Sequence, residues 1–312
     1  MDICRTLHDS GFQAYVVGGA LRDVLLGKDP HDWDITTDAR PEEVLSLFPK
    51  TIPTGQDFGT ITVVVEGEPI EVTTMRQEGR YTDYRHPDTV SFTDDIKVDL
   101  ARRDFTINAM AYNPIECRFA DPYKGRWHLK RRRLVCVGHP EKRFREDPLR
   151  MLRLVRFQAV LGFKVEKRTA GAIVPELVKL VSAERLGQEL HKMLLGESLV
   201  PAFELFFTTG LLEQVIPELA ACAGVDQGEQ HRFDVLGHSI MAAQNVPPKI
   251  HLRWAALLHD VGKPLAREKN ESRLFHGHEE IGAELAENIL RRLRCSNNLT
   301  EKVKHLVRHH MY

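Results

Sequence analysis

The feature that most limits how this chain can fold is a change of pattern near residue 138. Before it, short β-branched runs at 15–17, 60–65 and 70–74 alternate with helical pieces such as 40–48, the signature of a small mixed sheet with flanking helices. From Pro140 onward the strand signals stop. Apolar residues then recur at helical spacing, predicting helices over 147–161, 165–181, 183–195, 199–209, 238–244, 250–259, 278–292 and 300–309. The expected class is α+β, a sheet-containing head followed by an all-helical remainder. No linker composition marks the boundary, and there is no internal repeat or low-complexity tract. Residues 77–88, rich in Gly, Tyr, Arg, Asp and Pro and without periodicity, read as a loop.

Composition excludes several classes. The 312 residues with 42% hydrophobic content suffice for two or three domains, so the chain is neither disordered nor fibrous. The five cysteines, Cys4, Cys117, Cys136, Cys222 and Cys295, show no CxxC spacing, which argues against a zinc ribbon or disulfide framework and for a reducing compartment. The N-terminus lacks a signal-peptide pattern and no apolar run approaches membrane-spanning length, so a cytoplasmic protein is expected. With 43 basic against 44 acidic residues, any nucleic-acid contact must be local. Candidate patches are Lys130 to Arg133, the series Arg143, Arg145, Arg150, Arg153 and Arg156, and Arg291, Arg292 and Arg294 with Lys302 and Lys304.

Chemistry concentrates in the head. Gly18 and Gly19 end an apolar strand and open a helix, where their amides can approach a triphosphate and Arg22 can pair with it. In His31-Asp32-Trp33-Asp34, strand alternation places Asp32 and Asp34 on one face and Trp33 on the other. Two carboxylates on one face repel unless a divalent cation neutralises them, and Mg²⁺ suits one or two carboxylates plus phosphate oxygens. Glu71, on another alternating strand, is positioned to complete a site of the two-metal type.

Four blocks in order, Gly18-Gly19-Ala20-Leu21-Arg22-Asp23, Asp32-Trp33-Asp34, Arg102 to Met110 and Glu146 to Arg153, resemble the class II tRNA nucleotidyltransferases and bacterial poly(A) polymerases of the DNA polymerase beta-like superfamily. The resemblance implies catalytic Asp32, Asp34 and Glu71 with two Mg²⁺ ions held by Asp32 and Asp34. It implies that Arg103 contacts ribose or phosphate, that Asp104 belongs to the same nucleotide-binding wall, and that Asp147 and Arg150 act as a protein template. A carboxylate accepts from an exocyclic amine and a guanidinium donates to ring nitrogens or carbonyls, so such a pair suits the Watson–Crick edge of C or A. Arg153 and Arg156 recur at intervals of three on the same predicted helix and are expected to reach the triphosphate. Residues 77–88 take the place of the family's flexible loop, which is associated with switching from C to A addition.

Further on, His238, the run Leu257-Leu258-His259-Asp260-Val261-Gly262-Lys263, and His276-Gly277-His278 resemble the HD metal-dependent phosphohydrolases. Imidazoles and a carboxylate suit a transition metal. This resemblance implies His238, His259 and Asp260 as direct ligands, with His276 or His278 as additions. The family's last aspartate ligand lies in a later helix, and the chain stops at Tyr312, just after His309 and His310.

The combined expectation is a polymerase-beta-like nucleotidyltransferase head at 1–138, a helical neck at 139–225 for base recognition and RNA binding, and an HD-like helical domain at 226–312 that is incomplete at its C-terminus. The implied activity is template-independent addition of CMP and AMP, from CTP and ATP, to the tRNA 3′ end. The alternatives are an enzyme adding only A, a poly(A) polymerase, and, from another class, an HD-type phosphohydrolase.

Overall fold

The computed structural model describes residues 2–30, 32–55, 58–227, 233–270 and 275–311. His31, quoted above with the aspartate motif, lies outside them. The chain divides into two compact units, 1–147 and 148–312.

The first unit is built on a mixed sheet. Its strands are β1 (Ala14–Val17), β2 (Asp34–Thr37), β3 (Thr51–Gly55), β4 (Thr60–Val65), β5 (Glu68–Thr74), β8 (Ala111–Asn113) and β9 (Arg118–Ala120), in the spatial order β3-β4-β5-β2-β1-β8-β9. A separate ribbon pairs β6 (Arg76–Glu78) with β7 (Val90–Phe92). Around them lie α1 (Asp2–Asp9), α2 (Gly18–Leu25), α3 (Pro41–Leu47), α4 (Ile96–Ala101), α5 (Gly125–Lys130) and α6 (Pro140–Glu146). Period-two alternation along β1 divides its side chains between two cores. Ala14 packs with Ile3, Leu7, Ile35, Val44 and Val72 on one face, while Tyr15 and Val17 pack with Met75, Leu100 and Val137 on the other.

Local chemistry moves two expected boundaries here. The strand carrying the aspartates begins only at Asp34, so Asp32 sits in the bend leading into it. The loop expected over 77–88 starts as strand β6 and continues its ribbon, with Gly79 N donating to Thr89 O at 2.9 Å and Asp88 N to Arg80 O at 2.7 Å.

The second unit is helical: α7 (Leu149–Leu161), α8 (Lys167–Gly171), α9 (Ala183–Leu194), α10 (Leu199–Thr208), α11 (Leu211–Val215), α12 (Pro217–Ala220), α13 (Val235–Asn245), α14 (Ile250–Leu258), α15 (Lys263–Asn270), α16 (His278–Arg292) and α17 (Asn297–Arg308). The single helix expected over 165–181 is not formed. Pro175 disfavours helical geometry at the residue before it, and the segment splits into α8 and a 3₁₀ turn at Pro175–Leu180. Extended backbone does recur after Pro140, at Lys164–Val165. Helix α7 starts two residues later than expected because Asp147 closes α6 and Pro148 is the N-cap of α7. Helices α13 and α17 each start three residues early, where Asp234 and Ser296 accept from the backbone N–H groups of Gly237 and Leu299.

Candidate active site

The site in the first unit is set by strand register. β2 pairs parallel with β5 so that Asp34 stands opposite Glu71, and antiparallel with β1 so that Asp34 also stands opposite Val17. Neighbours in register share a face. Both carboxylates therefore project on the face opposite Ile35 and Val72, beside the turn where β1 passes into α2.

That turn is glycine for steric reasons. Gly18 has φ +71°, and a β-carbon there would lie 2.8 Å from Asp34 Oδ2 and 3.4 Å from Arg103 Nη1. The backbone that opens α2 thus lies close to a carboxylate and a guanidinium. Burial raises the Asp34 carboxyl above its usual range; Arg103 draws it back, and Glu71 and Asp32 add to the rise. Three carboxylates gathered in this way form an oxygen-only donor set, which fits a hard divalent cation. Asp32 and Glu71 are exposed and free to adapt to one.

Arg103 is placed by a residue that the motifs did not single out. Asp99, fully buried, accepts from Arg103 Nη2 at 3.2 Å and from Arg102 Nε at 2.9 Å. Burial works against the Asp99 charge, but the two guanidinium groups prevail and hold its carboxyl below the usual range. Arg102 also reaches Glu78 Oε1 at 3.2 Å, and Glu78 receives Arg76 at 2.8 Å and the Tyr81 hydroxyl. This network ties the base of the 77–88 loop to Arg103. Its sequence signal was the spacing of Asp99 from Arg102 and Arg103, three and four residues, which on helix α4 and its cap brings them together.

Arg22 and Asp104 meet through Asn108. Arg22 Nη1 donates to Asn108 Oδ1 at 2.9 Å, Asn108 Nδ2 donates to Asp104 Oδ1 at 3.3 Å, and Arg22 forks onto Asp23 at 2.9 Å. All three of Arg22, Asn108 and Asp104 are buried, so they brace the glycine turn against the 102–110 segment.

In the second unit Arg150, Arg153 and Arg156 lie on α7. Arg150 is buried. Arg156 Nε lies 2.9 Å and Arg153 Nη1 3.8 Å from the buried carboxylate of Glu189, a partner that no motif singled out. Asp147 closes α6, in the first unit. Among the basic patches, four residues of the C-terminal one pair with acids: Arg291 and Lys304 with Glu287, each at 2.5 Å, Arg292 with Glu218 at 2.7 Å, and Arg294 with Glu184 at 3.6 Å. Residues 130–133 are all exposed, beside the half-exposed Trp127 with Arg131 over its ring.

A second constellation forms where α13, α14, α16 and α17 meet. Two groups of three ligand atoms, each within 4.8 Å of one another, share Asp260: His238 with His259, and His278 with His310. Asp260 is 2% exposed. Gly262 permits the arrangement, since a β-carbon there would lie 2.2 Å from His278 O and 2.6 Å from Gly282 N. His276 is exposed and stands in neither group. His310 takes a place that the sequence left without a candidate, and its only signal was a histidine pair after the last helix.

A glycine turn and paired carboxylates on one mixed sheet, followed by helices, define a nucleotidyltransferase head of the poly(A) polymerase type. The family model of the Poly A polymerase head domain matches residues 14–135, that of the "Probable RNA and SrmB- binding site of polymerase A" matches 162–222, and that of the HD domain matches 228–312. The CCA-adding enzyme of Lactobacillus helveticus (strain DPC 4571) is 48% identical over 222 residues, covering 70% of this chain and 55% of that protein. That of Geobacillus stearothermophilus is 45% identical over 266 residues, covering 84% and 62%. The crystal structure of the Bacillus stearothermophilus CCA-adding enzyme in complex with CTP superimposes with a TM-score of 0.64 at 32% identity, covering 98% of this chain and 80% of that one. The chain belongs to the CCA-adding enzyme family. It spans 55 and 62% of the length of the two relatives matched by sequence. Among the described residues no helix is long and apolar enough to cross a membrane.

Proposed function

We propose that this chain adds CMP and AMP, from CTP and ATP, to the 3′ end of tRNA in the cytoplasm. The observation that carries the reading is the convergence of Gly18, Asp34, Glu71 and Arg103 at one end of the sheet. In this reading the 3′-hydroxyl oxygen attacks the α-phosphorus of the incoming nucleotide, a new phosphodiester bond forms, and pyrophosphate leaves with the electrons of the broken Pα–O bond. Asp32 and Asp34, with Glu71 beside them, would hold two Mg²⁺ ions. When bound, these supply positive charge for the attacking hydroxyl and the departing pyrophosphate.

The other steps belong to the chain's own groups. The bare Gly18 α-carbon and the first N–H groups of α2 admit the triphosphate close to Asp34. Arg103, steadied by Asp99, presents its guanidinium to ribose or phosphate, and the Arg22–Asn108–Asp104 chain keeps the turn and the 102–110 wall in register. Asp147 and Arg150 read the base edge, accepting from the exocyclic amine and donating to the ring. Arg153 and Arg156 stand on the same helix for the triphosphate, with Glu189 as their counter-ion. Exposed Lys130 to Arg133 offer the tRNA backbone a local positive surface on a molecule of net charge −1. These roles divide the chain into a head at 1–138, a neck at 139–225 and an HD-like domain from 226.

A second reading is favoured by the geometry around Asp260. There His238 and His259 point their Nε2 atoms at each other across 3.1 Å, beside the carboxylate, which supports a transition-metal site of the HD type with hydrolytic chemistry. The two readings are separable: hydrolysis that survives Asp32→Ala and disappears in His259→Ala belongs to the second alone.

The first reading is tested by extending tRNA transcripts that end before CCA, after C and after CC, with Mg²⁺ and CTP and ATP together or singly, resolved at one nucleotide. Products ending at CCA from all three are expected. A single A on the CC transcript alone would mean an A-adding enzyme, and a long A ladder a poly(A) polymerase.

A further inference from the structure

We infer that the head holds RNA at a second place outside the catalytic centre, a cleft between the end of α2 and helix α5. There one unpaired base stacks on Trp127 while the flanking phosphates meet the cations around it. The inference rests on the tRNA reading above and names residues by which that partner is held.

Charge singles the segment out. Lys124, Arg126 and Lys130 to Arg133 put six cations into ten residues of a chain that balances 43 basic against 44 acidic overall, and all six are exposed. No acidic residue lies between Pro122 and Gly138. The preceding Asp121 is turned to the backbone, accepting from Gly125 N at 2.5 Å and Arg126 N at 3.0 Å. A local excess of this kind on a near-neutral molecule draws a polyanion to one place.

An aromatic platform sits inside that charge. Trp127 is 50% exposed and Leu25, at the end of α2, 40%. The two line one open cleft of about 490 Å³, whose walls are completed by Leu26, Leu129, Arg126 and Lys130. The indole is steadied by its neighbours: Arg131 Cζ lies over the ring, 5.1 Å from its centroid, and His128 meets it edge to face at 5.1 Å. A flat apolar ring within a collar of guanidinium and ammonium groups matches single-stranded nucleic acid, because every base has a face to stack and every linkage a phosphate. A lipid surface fits less well. Helix α5 has six residues, far shorter than helices that lie in a membrane interface, and the apolar groups line a recess.

The cleft is tied to the catalytic end of the sheet from two sides. Helix α2 opens at Gly18 and closes at Leu25, so about 10 Å of helix separates the glycine turn from the cleft wall. Helix α5 packs on the 102–110 segment so closely that a β-carbon on Gly125 would lie 2.2 Å from Thr106 O, and His128 Nδ1 is hydrogen-bonded to Thr106 Oγ1 at 3.0 Å. An RNA strand with its 3′ end at Asp34 is thus offered a second hold on the same frame.

The test uses the full chain and a fluorescein-labelled single-stranded RNA with the terminal sequence of a CC-ended tRNA, its binding followed by anisotropy over a series of salt concentrations. Trp127→Ala should weaken binding by about fivefold or more, and Trp127→Phe should restore most of it. Arg126→Gln/Lys130→Gln should lower the slope of log affinity against log salt by about 1.4. The same RNA annealed to its complement should lose little affinity in Trp127→Ala, because its bases already stack on one another. In extension of CC-ended tRNA, Trp127→Ala should raise KM for the RNA and leave KM for ATP in place. Unchanged single-strand affinity in Trp127→Ala, or an equal loss on the duplex, would overturn the stacking site and leave the tRNA reading intact. Sedimentation with phosphatidylserine vesicles that Trp127→Ala abolishes, with RNA affinity unchanged, would overturn it in favour of a membrane surface. A parent protein that binds the single strand through Trp127 but extends no tRNA would support the site and count against the tRNA reading alone.

Discussion

Gly18 and Asp34 are in such close apposition that any side chain at position 18 would enter the space of the carboxylate: the added β-carbon would lie 2.8 Å from Asp34 Oδ2, on a backbone at φ +71°. Gly18→Ala therefore carries two penalties. The left-handed backbone costs an alanine about 1–2 kcal/mol, and the clash pushes the Asp34 carboxylate out of its place beside Gly18. Denaturant unfolding should show that loss of stability, and primer extension should fall more steeply than stability alone explains. An alanine variant with full extension activity would remove Gly18 from the triphosphate site.

Asp34 makes a prediction of opposite sign for stability. Burial raises its folded-state pKa, so at neutral pH without metal its charge opposes folding; that penalty fades as pH falls through the folded value toward the unfolded one of about 3.9. In EDTA at pH 7, Asp34→Asn should melt above wild type, and Mg²⁺ should narrow or reverse the difference. Extension should meanwhile drop by about a hundredfold or more. A variant that melts lower in EDTA would show that Asp34 is a structural ion-pair partner.

For Asp99 the sign reverses again. Its carboxyl is held below the usual range once the two arginines outweigh burial, so it stabilises the fold above the unfolded pKa of about 3.9 and loses that contribution as pH falls through the folded value. Asp99→Asn leaves Arg102 and Arg103 without their buried counter-ion and should cost about 3–5 kcal/mol at neutral pH. Stability measured from pH 7 downward should fall less steeply in the variant than in wild type. Parallel curves would mean that another carboxylate takes over the arginines.

Nucleotide choice should depend on Asp147 and Arg150. Their alanine variants should lose discrimination for C and A over U and G by roughly 1–3 kcal/mol, the scale of one well-placed hydrogen-bonded pair. Mg²⁺ dependence should remain. Competition among all four nucleotides on a CC-ended transcript measures this directly, and unchanged selectivity in both variants would rule out the protein-template role.

Much of this molecule was legible in the sequence because side-chain period reports faces. Alternation put Trp33 and Asp34 on opposite sides, and the loss of alternation after Pro140 announced a helical second half. Ordered glycine, aspartate and arginine blocks named the residues around the sheet end. Boundaries were less legible: Asp234 and Ser296 lengthened helices through capping hydrogen bonds, and Pro175 broke one that apolar spacing alone had predicted.

What the sequence alone determined, then, was which residues share a face and which local chemistry they carry, since both follow from backbone period and residue type. Only the tertiary structure decided who meets whom. Strand order sets Asp34 beside Glu71, and helix packing brings His278 and His310 to one oxygen of Asp260 while His238 and His259 meet the other. Such meetings join segments far apart in the chain, and the period of any one segment holds no record of the partner against which its face is buried.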